Sequence, residues 1–300
     1  MPQFAKGGAR ELIETAAAAL ERVGVENPRL DAELMIAAAT GRSRIEAIFG
    51  DLAVDVTARS RFAAMVARRR DREPLAYILG RREFYSIAIE VSPAVLIPRP
   101  ETEVIVAAAL DLLKQRPTAR VLDLCTGSGA IALAIATNAP HVIIVASDIS
   151  VAALALARRN VERMGLSDRV SLRHADCFEP VDRMGPLGVF DLLVANPPYI
   201  REGEIADLQP EVARWEPRLA LDGGSDGLGF YRRIASDLAA HLEAHGCALI
   251  EIDERQPAAL PAIFAGSGAA IYSTIPDLSG KPRAVCLRRS NLHAPLASDR

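Results

Sequence analysis

Val121-Leu122-Asp123-Leu124-Cys125-Thr126-Gly127-Ser128-Gly129-Ala130-Ile131-Ala132 is the stretch that decides how this chain folds. An apolar run ends in a loop of small residues and passes directly into an apolar helical segment, the pattern of a strand–loop–helix unit. Gly127 and Gly129 allow the backbone to approach a ligand and present amides at the helix start. Outward from this unit, strands are predicted at 120–124, 142–147, 170–174, 191–195, 248–252 and 284–287. Helices are predicted between them at 130–138, 151–164, 230–244 and 257–264. Such alternation means parallel βαβ units in an open, doubly wound α/β sheet.

Upstream the pattern is helical only. Leu12, Ile13, Ala16, Leu20 and Val23 recur at helical spacing before Gly24, and Asn27-Pro28 opens a second helix that stops at Gly41. Ser43-x-x-Glu46 has capping-box spacing. Thr57 opens a further helix that ends in Arg68-Arg69-Arg70-Asp71-Arg72, read as a solvated helix end whose cations complement the dipole. A patch for an acidic partner is the other reading of that run. Phe84–Val91 reads as extended, Val95–Pro100 as proline-fixed, and Glu101-Thr102-Glu103 as the start of a helix reaching about Gln115.

At about 150 residues per domain, 300 residues suggest two domains. The chain is 50% hydrophobic and 24% charged, which excludes disorder. A net charge of −3 offers no basic field for nucleic acid. The longest apolar runs, Ala130–Ala136 and Val142–Ala146, fall far short of the roughly 20 residues of a membrane span. The first residues, MPQFAKGGARELIE, lack a secretory pattern, so a soluble, cytoplasmic protein is expected. Cys125, Cys177, Cys247 and Cys286 are scattered without a Cys-x-x-Cys pair, arguing against both structural zinc and a disulfide framework; no metal is expected.

Gly127-x-Gly129-x-x-Ala132 fits dinucleotide-binding spacing, with Asp148 near the position of a ribose-binding acid. An ordinary glycine turn explains it equally well. Asp123 separates the possibilities, because a carboxylate facing the loop would repel a pyrophosphate and suit a ligand carrying ammonium and sulfonium. Asp-x-Cys-x-Gly-x-Gly resembles motif I of the S-adenosylmethionine-dependent methyltransferases, with Cys125 in place of the first glycine. Asp148 would then accept from the ribose hydroxyls, a role compatible with capping the next helix.

The second motif is Asp191-Leu192-Leu193-Val194-Ala195-Asn196-Pro197-Pro198-Tyr199, a buried strand ending in Asn-Pro-Pro-Tyr. An amide or aromatic amine is a poor nucleophile because its lone pair is delocalised. The Asn196 side-chain oxygen and the Pro197 carbonyl can hold both N–H bonds of such a group and turn its lone pair toward a methyl donor. Tyr199 offers a ring face to a flat group. A proline-rich strand exit with a capping Asn is the plainer reading. His174-Ala175-Asp176-Cys177-Phe178 follows the third strand, and in this class that loop contacts adenine, here through Cys177; a simple strand-to-loop acid accounts for it as well. Asp222–Gly227 reads as a structural turn cluster, and His141, His241, His245 and His293 receive no role.

Pro74-Leu75-Ala76-Tyr77-Ile78-Leu79-Gly80, Glu83-Phe84-Tyr85, Leu96-Ile97-Pro98-Arg99-Pro100-Glu101-Thr102-Glu103, Asn196–Tyr199, Gly224-Ser225-Asp226-Gly227-Leu228 and Tyr231-Arg232-Arg233-Ile234 together resemble the peptide chain release factor N(5)-glutamine methyltransferases. The likeness runs from about residue 10 to 288. It departs at Ser86, where that family often has Gly, at Asp253, where Gly is usual, and at Cys125. The resemblance implies an α/β fold: a Rossmann-like, seven-stranded class I methyltransferase sheet with a small all-helical N-terminal domain of five helices. It implies a helical partner-binding domain over 1–80, a hairpin linker over 81–96, a methyltransferase domain over 97–290 and a flexible tail over 291–300. The implied activity is methyl transfer from S-adenosyl-L-methionine, leaving S-adenosyl-L-homocysteine, to the side-chain amide nitrogen of the glutamine in a release factor's Gly-Gly-Gln, modulating translation termination. Cys125, Thr126, Gly127, Ser128, Gly129, Asp148, Cys177 and Asn196 would line the cofactor site, and Thr102 would reach the cofactor's methionine end. Asn196, Pro197, Pro198 and Tyr199 would grip the glutamine, with Asn196, Pro197 and Tyr199 catalytic. The expected partners are release factors as protein substrates, with no direct nucleic acid and no membrane, and the enzyme is expected to be a monomer.

Three other readings remain. Ribosomal-protein glutamine methyltransferases share Asn-Pro-Pro-Tyr but differ at Ile97–Glu103. A DNA adenine-N6 methyltransferase would present the same planar NH2, but it needs a basic surface. A cofactor-binding regulator without catalysis would have no use for Asn196 and Tyr199.

Overall fold

The structure, a computed structural model, describes residues 8–49 and 53–289, so the expected tail at 291–300 lies outside the described residues. Contacts divide the chain into two compact units, one running to Arg81 and including Gln209–Trp215, the other comprising Arg82–Leu208 and the residues from Glu216 onward.

Five helices occupy the described part of the first unit before Arg81: α1 (Ala9–Glu21), α2 (Pro28–Thr40), α3 (Arg44–Phe49), α4 (Val56–Arg70) and α5 (Leu75–Leu79). Leu12, Ile13, Leu20, Met35, Ile36, Phe62 and Val66 form its apolar core. The capping box is made reciprocally, Glu46 N donating to Ser43 Oγ and Ser43 N to Glu46 Oε2. Helix α4 begins one residue earlier than Thr57, because Asp55 caps it by accepting from Ala58 N at 2.7 Å.

The solvated reading of Arg68–Arg72 holds for the exposed Arg68, Arg70 and Asp71 and is corrected at Arg69 and Arg72. Arg69 is only 6% exposed and donates to Asp31 (2.7 Å) and Glu211 (2.9 Å), while Arg72 forks onto both oxygens of Glu211. Arg68 pairs with Glu73.

Strands β1 (Arg81–Phe84) and β2 (Ile87–Glu90) form a hairpin whose two turn residues, Tyr85 and Ser86, both have positive φ (48° and 61°). A short 3-10 turn at Pro100–Thr102 leads into α6 (Glu103–Leu113). Strand and helix then alternate: β3 (Ala119–Leu124), α7 (Ala130–Asn138), β4 (Val142–Asp148), α8 (Val151–Arg163), β5 (Val170–Asp176), the two-residue β6 (Glu179–Pro180) and β7 (Phe190–Ala195). After them come α9 (Pro210–Trp215), counted with the first unit, then α10 (Gly229–Asp237), β8 (Leu242–Glu251), α11 (Leu260–Phe264), β9 (Ala269–Pro276) and β10 (Pro282–Arg289).

The sheet order is β6-β5-β4-β3-β7-β8-β10-β9. Seven principal strands and the small β6 edge make it up. Strands β5, β4, β3, β7 and β8 are mutually parallel, and β10 runs antiparallel to both of its neighbours. Two expectations fail here. The helix expected over 230–244 stops at Asp237, because Leu242 pairs with Phe190 and starts β8; and β9, which went unrecognised, closes the far edge. In the central register, Leu124 lies beside Ala195 on one side and Ser147 on the other. The loops after β3, β4 and β7 therefore leave one carboxyl edge side by side, at the point where strand order reverses.

Candidate active site

At that edge lies a cleft enclosing about 1000 Å³ including its open mouth, and its walls are mainly apolar. Of the expected cofactor residues, Cys125, Thr126, Gly127, Ser128, Asp148, Cys177 and Asn196 line it, all within the second unit. Gly129 does not. It caps α7 at φ 82°, and a Cβ there would meet Ala157, so its place is the packing of helix on helix.

The loop after β3 is built around Asp123, which is fully buried. Thr126 Oγ1 donates to its Oδ2 at 2.5 Å and Ala132 N at 3.2 Å, so the carboxylate serves the first turn of α7, where the Gly129 cap has no side chain to do so. Burial pushes its pKa up to about 7. Asp123 thus faces its own loop, as its position at the strand end suggested, and does not line the cleft. Cys125, with φ 58°, holds the left-handed conformation that glycine would take there. Burial raises its thiol pKa well above the usual range.

Asp148 closes β4 and lines the cleft. Its Oδ2 accepts from Gly127 N and its Oδ1 from Ser150 N, both at 2.9 Å, so it ties the first loop to the second. The cap of α8 is Ser150, accepting from Ala153 N, and not Asp148. Burial raises the pKa of Asp148, and that of Cys177 to about 11. Beside Cys177, Asp176 pairs with Arg233 at 2.7 Å. His241 stacks on Phe178 and faces the Gly188 carbonyl, a structural placement.

The loop after β7 divides its residues. Asn196 and Pro198 line the cleft, whereas Pro197 and Tyr199 do not. Asn196 Nδ2 donates to Thr102 Oγ1 at 3.3 Å, and the Tyr199 hydroxyl donates to Glu251 Oε1 at 3.2 Å. The Asp222–Gly227 cluster packs against this loop through backbone. Gly223 N donates to Ile200 O, and a Cβ on Gly227 would lie 2.5 Å from Tyr199 O. Gln256 then donates to Tyr199 O and Gly227 O together. Sequence reasoning missed Phe84, Leu96, Ile149 and Phe230 in the cleft wall, and Glu251 behind it. Ile149 was discoverable as the residue after Asp148. The others come from distant segments and carry no local signal.

An apolar cleft walled by a glycine loop and a strand-end carboxylate fits a nucleoside joined to an amino acid. The open space around a Cβ built on Gly127 leaves that loop's backbone accessible from the cleft.

Residues 11–80 match the PrmC N-terminal domain model and residues 105–213 the methyltransferase small domain model. The chain is 41% identical over 278 residues, 92% of its length and 95% of the relative's, to the release factor glutamine methyltransferase of Geobacter sulfurreducens. It is 40% identical over 275 residues, 90% of its length and 93% of the relative's, to that of Agrobacterium fabrum. A solved hMettl16 catalytic domain, in complex with MAT2A 3'UTR hairpin 6, shares the fold at TM-score 0.53 and 17% identity, covering 80% of this chain and 83% of that one.

Proposed function

The chain belongs to the release factor glutamine methyltransferase family, and from that premise we propose that it methylates the side-chain amide nitrogen of the glutamine in a release factor's Gly-Gly-Gln tripeptide. Asn196, at the meeting of the β3 and β7 loops, carries this reading, because it is the one residue of Asn-Pro-Pro-Tyr that offers the cleft a side-chain acceptor.

S-adenosylmethionine, when bound, supplies the electrophilic methyl group. Cys125, Thr126, Gly127, Ser128, Asp148 and Cys177 are the residues that would hold it, with Asp148 offering the carboxylate for ribose hydroxyls. The chain's own contribution at the acceptor is positional. Asn196 Oδ1, in the cleft wall, accepts an amide N–H bond and fixes the plane of the group. That same oxygen stabilises positive charge as it grows on nitrogen. Alkylation acidifies that nitrogen, so its proton leaves readily to water. The buried Pro197 and Pro198 restrict the backbone of the loop that carries Asn196. Tyr199 supports the loop from behind through Glu251. The partners are release factors, the enzyme acts as a monomer in the cytoplasm, and residues 1–80 supply the partner-binding surface. No helix among the described residues is long and apolar enough to cross a membrane.

The test is transfer of labelled methyl from S-adenosylmethionine to purified release factor. Label is expected on the wild-type factor and none after the tripeptide glutamine is changed to alanine. Asn196→Ala is expected to lower transfer by about 100-fold or more, in line with loss of one positioned polar group, while cofactor affinity is largely kept. Equal labelling of both factors would overturn the reading.

A further inference from the structure

Asn160 lies on α8, 0% exposed, and takes no part in the chemistry above. Ala153, Ala157 and Asn160 follow one another at i, i+4 and i+7, so they share a face of the helix. That face meets the start of α7, where a Cβ built on Gly129 would sit 3.5 Å from the Ala157 Cβ. At this close approach Asn160 Nδ2 donates to the Ser128 carbonyl at 2.9 Å. Its second hydrogen goes to the Glu90 carbonyl at 3.0 Å, at the end of β2. Asn160 Oδ1 accepts from Glu90 N and from Arg163 Nη2, both at 2.8 Å. Glu90 N can only donate and the two carbonyls can only accept, so the amide has a single orientation in which every donor and acceptor is used. Glu90 N and O thus pair with one side chain as they would with a neighbouring strand.

We propose that Asn160 is a positioning residue for the cofactor: it ties the β3 loop at Ser128 to the β1–β2 hairpin, so that the two walls they supply stand ready for S-adenosylmethionine. This rests on the reading that the cleft is the cofactor's. Ser128 lines the cleft from the loop, while Phe84 lines it from the hairpin and Ala94, Val95 and Leu96 from the segment that follows. Asn160 and Glu90 are not in that wall, so the tie acts from behind it. Without the tie, loop and hairpin move apart independently, and the ligand must order them as it binds, at a cost in affinity. Asn196 belongs to the β7 loop and keeps its place, so the chemical step on bound cofactor is unaffected.

Two neighbours separate this tie from a general fastening of helix to hairpin. Arg159 pairs with the Glu90 carboxylate at 2.8 Å and so joins α8 to β2. Arg163 Nη2 donates to the Ala88 carbonyl as well as to Asn160. Of the three, Asn160 alone also holds the β3 loop. Linkage runs both ways, so a tie that favours the cofactor is itself favoured by the cofactor. Glu90 N donates into the tie, and its exchange with solvent should slow when a ligand fills the cleft.

The experiment measures S-adenosylhomocysteine affinity by calorimetry in wild type, Asn160→Asp, Asn160→Ala and Arg159→Ala, with kcat and the KM for S-adenosylmethionine in release factor methylation. Wild-type binding comes first: its absence would sink the cofactor reading and the tie with it, whereas the remaining outcomes bear on the tie alone. Asn160→Asp keeps the shape but sets an acceptor against two carbonyls, and is expected to weaken affinity roughly 5- to 50-fold. Its KM should rise to match, with kcat at saturation within about twofold of wild type. Asn160→Ala should do the same, while Arg159→Ala should bind within about twofold of wild type. A merely structural role would lower the melting temperature of a folded Asn160 variant without moving its affinity. If neither Asn160 variant folds, amide exchange of the wild-type protein decides the matter: Glu90 N–H should exchange at least about threefold more slowly with S-adenosylhomocysteine bound. Affinity within about twofold of wild type in a folded Asn160 variant, an equal loss in Arg159→Ala, or Glu90 exchange unchanged by the ligand would overturn the proposal.

Discussion

Gly227 shows how a turn residue can govern a reaction it never touches. Its φ of +74° already excludes most side chains, and a Cβ would strike the Tyr199 carbonyl at 2.5 Å, in the loop that presents Asn196. Gly41 has a similar φ of +67°, but open space surrounds its would-be Cβ. Gly41→Ala should therefore cost about 1–2 kcal/mol of left-handed strain and leave the specific activity of folded protein unchanged. Gly227→Ala should cost more than that and abolish most transfer. Urea unfolding and methyl transfer measured side by side check this, and equal losses of activity in the two variants would refute it. Single residues were partly legible in the sequence. Asp148, Cys177 and Asn196 were placed in the cleft from their motifs, because a motif fixes a strand end and a strand end faces the ligand edge. What the motif did not convey is the partner of Asp123: its Oδ2 is taken by the Thr126 hydroxyl and the Ala132 amide, because a local pattern does not say which way a carboxylate turns.

At the scale of elements, the parallel strands were readable because burial on both faces writes continuous apolar runs. The boundary between α10 and β8 was not. Leu242-Glu243-Ala244 suits a helix, and only pairing with β7 makes it strand. Strand β9 escaped because it pairs with β10 alone and is half exposed, so its residues show neither a clean alternation nor a buried run. The β1–β2 hairpin carries a testable consequence of its sequence. Its turn requires positive φ at Tyr85 and Ser86, the geometry of a type I′ turn, and a serine there holds a conformation that glycine adopts freely. Ser86→Gly should stabilise the chain by about 0.5–1 kcal/mol, the left-handed strain outweighing glycine's extra unfolded-state freedom. Thermal melting reads the shift, and a lower midpoint would show that the turn gains more from the serine than its backbone loses. Asp253 needs no such relief, since its φ is negative despite the family's glycine, and its side chain is engaged by Arg255.

For the molecule as a whole, the sequence conveyed a helical part and an α/β part but not how the chain is shared between them. The first unit takes residues 209–215 from the far side of Asn-Pro-Pro-Tyr, and Glu211 is what binds them there. Nothing local marks Glu211, whose partners Arg69 and Arg72 lie about 140 residues earlier and looked like a solvated run. Burial works against the Glu211 charge, but Arg72 and Arg69 more than offset it and hold its pKa below the usual carboxylate value. A carboxylate depressed in this way contributes stability that is complete above its unfolded pKa of about 4.3 and is lost as pH falls through the lower folded value. Glu211→Ala leaves Arg69 with Asp31 as its carboxylate partner and strips Arg72 of both carboxylate contacts, so the first unit should lose about 2–3 kcal/mol near neutral pH. Hydrogen exchange locates the loss: amides of α1, α2 and α4 should exchange faster in the variant, while those of β3, β4 and β7 keep their wild-type rates. The difference between variant and wild type should also shrink as pH drops below about 4, because protonating Glu211 removes the same charge that the substitution does. Exchange that accelerates equally in the sheet strands, or a difference that grows with acid, would mean that Glu211 does not hold the helical unit together.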